Sequence, residues 1–186
     1  MNESQEAALV IRCKAGDKEA FRALIELHHG VLFGTAYLMT RDRGLAEDVV
    51  QEALIKIWKH LPSLRFQSSI KAWLVRTVVN EVKQQFRKKR LLMVPLEDAN
   101  EAVGELDKAE TALIRSEEQR GLRQALDKLP SEQREAVTLR YFSDLTVPEI
   151  AAIMNQREGT IKSRLSRALD RLNEILSRDG MWEGRR

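Results

Sequence analysis

A chain of 186 residues has room for one or two domains, and a 43% apolar fraction is enough to fill packed cores. Charged residues at 32%, aromatics at only 5% and few Gly and Pro point to an all-helical protein. A single cysteine, Cys13, excludes an intramolecular disulfide and makes a cysteine-based metal site implausible.

The opening MNESQEAALVIRCKAGDK is charged from its start and lacks the apolar core of a signal peptide. No stretch approaches the roughly 18 apolar residues of a membrane span, so a soluble, cytoplasmic chain with no membrane insertion of its own is expected. A short amphipathic helix from Asn2 to Ala15 is broken by Gly16-Asp17. From Asp17 to Met39 a second helix offers Phe21, Leu24, Ile25, Leu27, Val31, Leu32 and Leu38 as a buried face. His28 and His29 are neighbours on it and point about 100° apart, which suits partly buried structural histidines better than one metal.

A polar break, Thr40 to Gly44, precedes a third helix from Leu45 to Leu61 that Pro62 ends. Leu45, Val49, Ala53 and Ile57 face inward, with Val50, Leu54 and Trp58 beside them. Glu47, Asp48, Gln51 and Glu52 gather outside. These acids fit two readings equally: a solvated helix start favoured by the helix dipole, or a docking surface for a basic protein.

After a loop from Pro62 to Ser68, a helix from about Ser69 to Arg87 buries Ile70, Trp73, Leu74, Val78, Val82 and Phe86. Its other side aligns Arg76, Asn80, Lys83, Gln84 and Arg87, followed by Lys88-Lys89-Arg90. Cations for phosphates and amides that can read base edges are what nucleic acid requires. A solvated face is the plainer alternative, which the register of the row disfavours. Between Pro62 and Arg90 the only acid is Glu81, whereas in residues 96–118 eight acids outnumber Lys108 and Arg115. Two basic patches flanking an acidic segment point to two contacts with a polyanion.

Val94-Pro95 closes a first domain, residues 1–95, and the acidic segment 96–118 reads as a flexible linker, extended or partly helical. A second domain spans 119–178. From Thr111, at the end of the acidic segment, to Lys128 the chain reads as helical again, Leu129-Pro130-Ser131 marks a turn, and Ser131 to Phe142 forms a further helix, packing Val137, Leu139 and Tyr141 inward. Residues 179–186 form a short tail, with no room expected for a further sensor or catalytic domain.

Leu145 to Leu172 reads as two helices joined by a tight turn. Thr146 caps the first, Glu149 completes a capping box, and Pro148 is harmless in the first turn. Asn155 tolerates the left-handed backbone that the reversal needs. The second helix aligns Ile161, Leu165, Ala168, Leu169 and Leu172 on one face. Outside lie Thr160, Lys162, Ser163, Ser166 and Arg167, flanked by Arg157, Arg164 and Arg171. Short polar side chains among long cations are what a major groove accepts, so this is a helix-turn-helix with a recognition helix. An amphipathic hairpin with a solvated basic face is the bland alternative. No glycine phosphate loop, catalytic carboxylate pair, serine triad or metal motif is found, so no catalytic residue, cofactor or metal is expected.

Four segments, AEDVVQEALIKIW (Ala46 to Trp58), IKAWLVRTVVNEVKQQFRKKR (Ile70 to Arg90), LPSEQREAVTLRYFSDLTVPEIAAIM (Leu129 to Met154) and GTIKSRLSRA (Gly159 to Ala168), occur in order. Together they make the chain similar to the extracytoplasmic-function (ECF) group of bacterial RNA polymerase sigma factors, over nearly its whole length. The resemblance implies an all-α fold of two small helical domains, the first a sigma region 2 and the second a region 4 helix-turn-helix. It implies that Glu47, Asp48, Gln51 and Glu52 dock on the beta-prime clamp helices of core RNA polymerase, and that the beta flap is a further contact. It assigns −10 element contacts to Phe66, Gln67, Ser68, Ser69, Lys71, Arg76, Asn80, Lys83 and Arg87, the loop taking a flipped base. Lys162, Ser163, Ser166 and Arg167 would read bases of the −35 element, and Arg157, Thr160 and Arg164 would hold phosphates. A cognate anti-sigma factor is implied as a partner beside promoter DNA. The chain departs from the family pattern at Arg157-Glu158, where many members have Pro-Val, and at Leu54, often an aromatic. It departs too at Ser166, larger in some members, which bears on base preference. The competing reading is a polymerase-independent helix-turn-helix regulator whose N-terminal helices dimerise or sense; it leaves the row on the fourth helix without a use.

Overall fold

The computed structural model describes residues 3–64, 69–92 and 120–178, and the chain divides into two compact units, Met1–Leu96 and Glu97–Arg186. The described residues are helical apart from turns, which is the all-α class expected. Residues 96–118 and 179–186, expected as an acidic linker and a tail, lie outside the described residues, as do residues 65–68.

Local signals set the helix boundaries in the first unit. Helix α1 spans Glu3–Lys14, and Gly16, at φ +87°, turns the chain where a side chain would be strained. Asp17 then caps α2, Lys18–Thr40, by accepting from the Ala20 amide at 3.0 Å. Left-handed Arg41 ends it, and Asp42 caps α3, Arg43–His60, through the Leu45 amide at 2.9 Å. Pro62 lies in a short 3₁₀ turn, Leu61–Ser63, and α4 runs Ile70–Leu92. Helix α2 packs on α1, α3 and α4, and α3 packs on α4, burying Leu24, Leu32, Val49, Ile57, Leu74, Val78 and Val82.

Four residues of this unit depart from their expected burial: Leu27, His29, Trp73 and Phe86. Leu27 is exposed, because the buried series on α2 runs Leu24, His28, Leu32, Thr35 and Met39 and leaves it to one side. His28 is therefore buried, its Nε2 paired with Glu6 Oε1 of α1 at 2.7 Å, while His29 is exposed and lies 6.2 Å from Phe33, ring to ring. On α4 the buried row stops at Val82; Phe86 is 44% exposed and Trp73 only half-buried. Trp58 rests edge-on against Phe21 at 4.9 Å. Cys13 is buried, and that burial, helped by Asp17, raises its thiol pKa, so it packs rather than reacts.

In the second unit residues 120–127 are helical (α5), followed by α6, Ser131–Val137, which opens into a π turn over Thr138–Phe142. The Ser143 amide donates to the Thr138 carbonyl at 2.9 Å, so one turn is wider than α-helical. That widening buries Leu139 and Leu145 and swings Tyr141 outward to 60% exposure, against the inward position expected for it. Helix α7, Val147–Met154, and α8, Glu158–Arg178, pack together, and α8 packs on α6. Ile161, Leu165, Ala168 and Leu172 are buried, whereas Leu169 sits on the flank and is exposed.

Candidate nucleic-acid and protein-docking interface

The second unit builds its outward face by local chemistry. The capping box that starts α7 is formed, with Glu149 Oε2 accepting from the Thr146 amide at 2.8 Å and its hydroxyl at 2.7 Å. Asn155 takes the left-handed conformation at φ 51°, and the Gln156 amide donates to the Ala151 carbonyl at 3.0 Å. This six-to-one closure reverses the chain in three residues. The Arg157 carbonyl accepts from the Thr160 and Ile161 amides at 2.9 and 3.1 Å, so α8 begins there with no proline in its first turn.

With Ile161, Leu165, Ala168 and Leu172 turned inward, the helical period leaves Lys162, Ser163, Ser166 and Arg167 exposed together and Thr160 half-buried at their edge. Two members are already tethered to their own helix. Ser163 Oγ donates to the Thr160 carbonyl at 3.0 Å, and Arg167 Nε donates to the Ser163 carbonyl at 3.1 Å. The guanidinium thus lies over the preceding turn, and a base edge or phosphate would have to compete for it. Arg157 is exposed in the turn. Arg164 differs from its expected companions: its side chain is 14% exposed and bridges to Glu132 of α6 at 2.5 Å. It braces α8 against α6 rather than standing on the outward face.

In the first unit Arg76, Asn80, Lys83 and Arg87 are exposed along α4, and Lys88 and Lys89 continue the charge. Gln84 leaves this row. It is half-buried and accepts from Lys56 Nζ of α3 at 2.9 Å. Glu81 is only 2% exposed and pairs with the same ammonium group. Ser69 has a structural task as the cap of α4, accepting from the Ala72 amide at 3.1 Å, and Lys71 is half-buried. Phe66, Gln67 and Ser68 lie outside the described residues.

On α3, Glu47, Asp48, Gln51 and Glu52 are all exposed, and Glu47 pairs with Arg43 at 3.0 Å. The helix starts at Arg43 and its first turn holds no acid. Because the dipole acts within that turn, it does not account for the acidic cluster. No sequence signal marked the Lys56–Glu81–Gln84 contact, whose partners are 25 and 28 residues apart. Among the described residues no cluster of His, Cys, Asp and Glu could hold a metal, and no helix is long and apolar enough to cross a membrane.

Known families match a stretch of each unit. The sigma-70 region 2 family matches residues 24–91 and the sigma-70 region 4 family matches residues 119–172. The chain is 31% identical to the RNA polymerase sigma-H factor of Pseudomonas aeruginosa, over 95% of this chain and 96% of that protein. It is 32% identical to the ECF RNA polymerase sigma factor SigM of Mycobacterium tuberculosis, over 94% of this chain and 86% of the relative. Among solved structures, the sigma factor RpoE of Bartonella quintana, seen in complex with the anti-sigma factor NepR, superposes with a TM-score of 0.70 at 33% identity. That match covers 84% of this chain and 96% of the other.

Proposed function

The chain belongs to the ECF sigma factors of bacterial RNA polymerase, and from that premise we propose how its faces divide the work of promoter recognition. As a sigma factor it associates with core RNA polymerase and directs transcription initiation. The family acts as an initiation factor, and in our reading the chain performs no catalysis of its own and works in the cytoplasm, where polymerase is.

Residues 1–95 act as the polymerase-docking and −10 domain, 96–118 as the join, and 119–178 as the −35 domain. Glu47, Asp48, Gln51 and Glu52 offer carboxylates to a basic helical partner, the beta-prime clamp. Arg76, Asn80, Lys83 and Arg87 hold the non-template strand, while Phe66, Gln67 and Ser68 receive an extruded base. Extrusion costs a few kcal/mol, so it succeeds only where polymerase already holds the duplex. Lys162, Ser163, Ser166 and Arg167 read the −35 duplex, with Arg157 and Thr160 on phosphates. Arg164 acts on DNA through the position it gives α8. The observation that carries this division is the exposure of three chemically distinct faces: acids on α3, cations and an amide on α4, short polar groups among cations on α8.

Control by an anti-sigma factor is part of the proposal, supported by the RpoE–NepR complex at 33% identity. Such a partner would compete for the faces just described. The division of labour is tested by mobility shift on one promoter fragment with the free chain and with holoenzyme. Specific binding is expected only with core polymerase; tight specific binding by the chain alone would favour a polymerase-independent regulator.

A further inference from the structure

The contact between α3 and α4 has two chemically different parts. One is apolar: the packed helices bury Val49, Val50 and Ile57 of α3 and Val75, Val78 and Val82 of α4. Such packing is non-directional: it opposes a shift of one helix on another through shape alone and names no particular partner for a side chain. The other part is directional. Lys56 Nζ of α3 donates to the carboxylate of Glu81 and, at 2.9 Å, to Gln84 Oε1, two acceptors three residues apart and hence neighbours on one face of α4. A one-residue slip of α4 would turn both acceptors away from the ammonium group.

The positions of the partners give that contact a use. Lys56 lies one helical turn beyond Glu52, at the end of the acidic row on α3. Glu81 and Gln84 are interleaved with Asn80 and Lys83 of the exposed row on α4. Glu81 is the only acid between Pro62 and Arg90, and it is buried against a cation, so its charge is not presented to a phosphate strand beside Asn80. An ionic group kept in a core is seldom the most stabilising choice there, since apolar replacements of similar volume are often as stable or more so.

We propose that Lys56, Glu81 and Gln84 form a latch that sets the register of the DNA-strand face of α4 against the polymerase-docking face of α3. These are positioning residues: none touches DNA or polymerase, and each acts through the row that it orients. The inference rests on the assignment of those two faces above. Docking through α3 then delivers Asn80, Lys83 and Arg87 to the strand at one fixed angle.

The test uses full-length protein assembled with core polymerase. In the double variant Lys56→Met/Glu81→Met no charge is left unpaired, so the thermal midpoint and the affinity for core enzyme are expected to stay near those of the parent. The lifetime of competitor-resistant open complexes is expected to fall on the order of tenfold, because a looser supporting shell misplaces the contacting row. Lys56→Arg, which keeps a cation facing both acceptors, should restore most of that lifetime. An unchanged lifetime in a folded double variant overturns the latch, and so does a loss of core affinity that parallels the loss of lifetime. Should the double variant fail to fold, Glu81→Gln is read in the same way, with a partial loss expected and none overturning the proposal. A Lys83→Ala control separates the two levels. If it leaves open-complex lifetime unchanged, the assignment of α4 fails, whatever the latch variants do.

Discussion

The two units hold their exposed cations by different means. In the second, the face of α8 is set largely by contacts close in sequence, namely a capping box, a left-handed Asn155 and tethers from Arg167 and Ser163 to the preceding turn, with Arg164 adding one distant brace to Glu132. In the first, the face of α4 is set by a distant residue, Lys56, reaching across from α3. A duplex groove is a preformed rigid target, and a helix held by its own turns can enter it as a body. An unpaired strand has no shape until it is held, so the holder must be registered against the polymerase that separates the strands.

Reversing one charge on the docking face should break this contrast most severely. Asp48→Arg is expected to abolish co-purification with core polymerase while circular dichroism and thermal midpoint stay at parental values, since Asp48 is exposed. Normal co-purification would remove α3 from the docking role and leave α4 with nothing to be registered against.

A narrower cut falls on the second unit alone. Arg167→Ala should weaken use of the −35 element by about 1–3 kcal/mol and relax preference at one base position. Lys88→Ala, by contrast, should weaken holoenzyme binding about uniformly across sequences and reduce the salt slope by roughly 1. Selection from a library randomised at both elements, at two salt concentrations, checks both, and a sequence-dependent effect from Lys88 would blur the distinction between the units.

Stability offers a smaller test of how local the second unit's construction is. Thr146→Ala removes the capping box and should cost about 1 kcal/mol in urea unfolding, with Asn155→Gly nearly neutral, because Gly meets the left-handed backbone without strain. A large cost from Asn155→Gly would mean that its side chain does more than permit the turn.

The smallest effect concerns Asp17, whose carboxyl is held below its ordinary pKa first by the Ala20 amide and then by Arg12. A depressed carboxylate stabilises the fold above its unfolded pKa and loses that contribution as pH falls through the folded value. Asp17→Ala should therefore lower the thermal midpoint at neutral pH, and the difference from the parent should vanish in acid.

The sequence announces the second unit more fully than the first for the same physical reason. Thr146, Glu149 and Asn155 act within a few residues, so their spacing alone predicts the turn and hence the outward set on α8. Arg164 escaped because its partner, Glu132, lies 32 residues away, and Tyr141 because a π turn shifts the helical period after Val137. On α4 the periodicity finds Arg76, Asn80, Lys83 and Arg87 but assigns Gln84 to the same row. Only a cation arriving from another helix removes it. Phe86 reads as core by spacing, yet the buried row ends one step earlier.

Run-off transcription with bacterial core polymerase and a promoter library randomised at both elements tests the joint action of the two units most directly. The expected result is RNA starting at one defined position, from templates selected at the −35 and the −10 element together. Absence of start-specific RNA from every template, or selection that converges on a two-fold symmetric site, would contradict it.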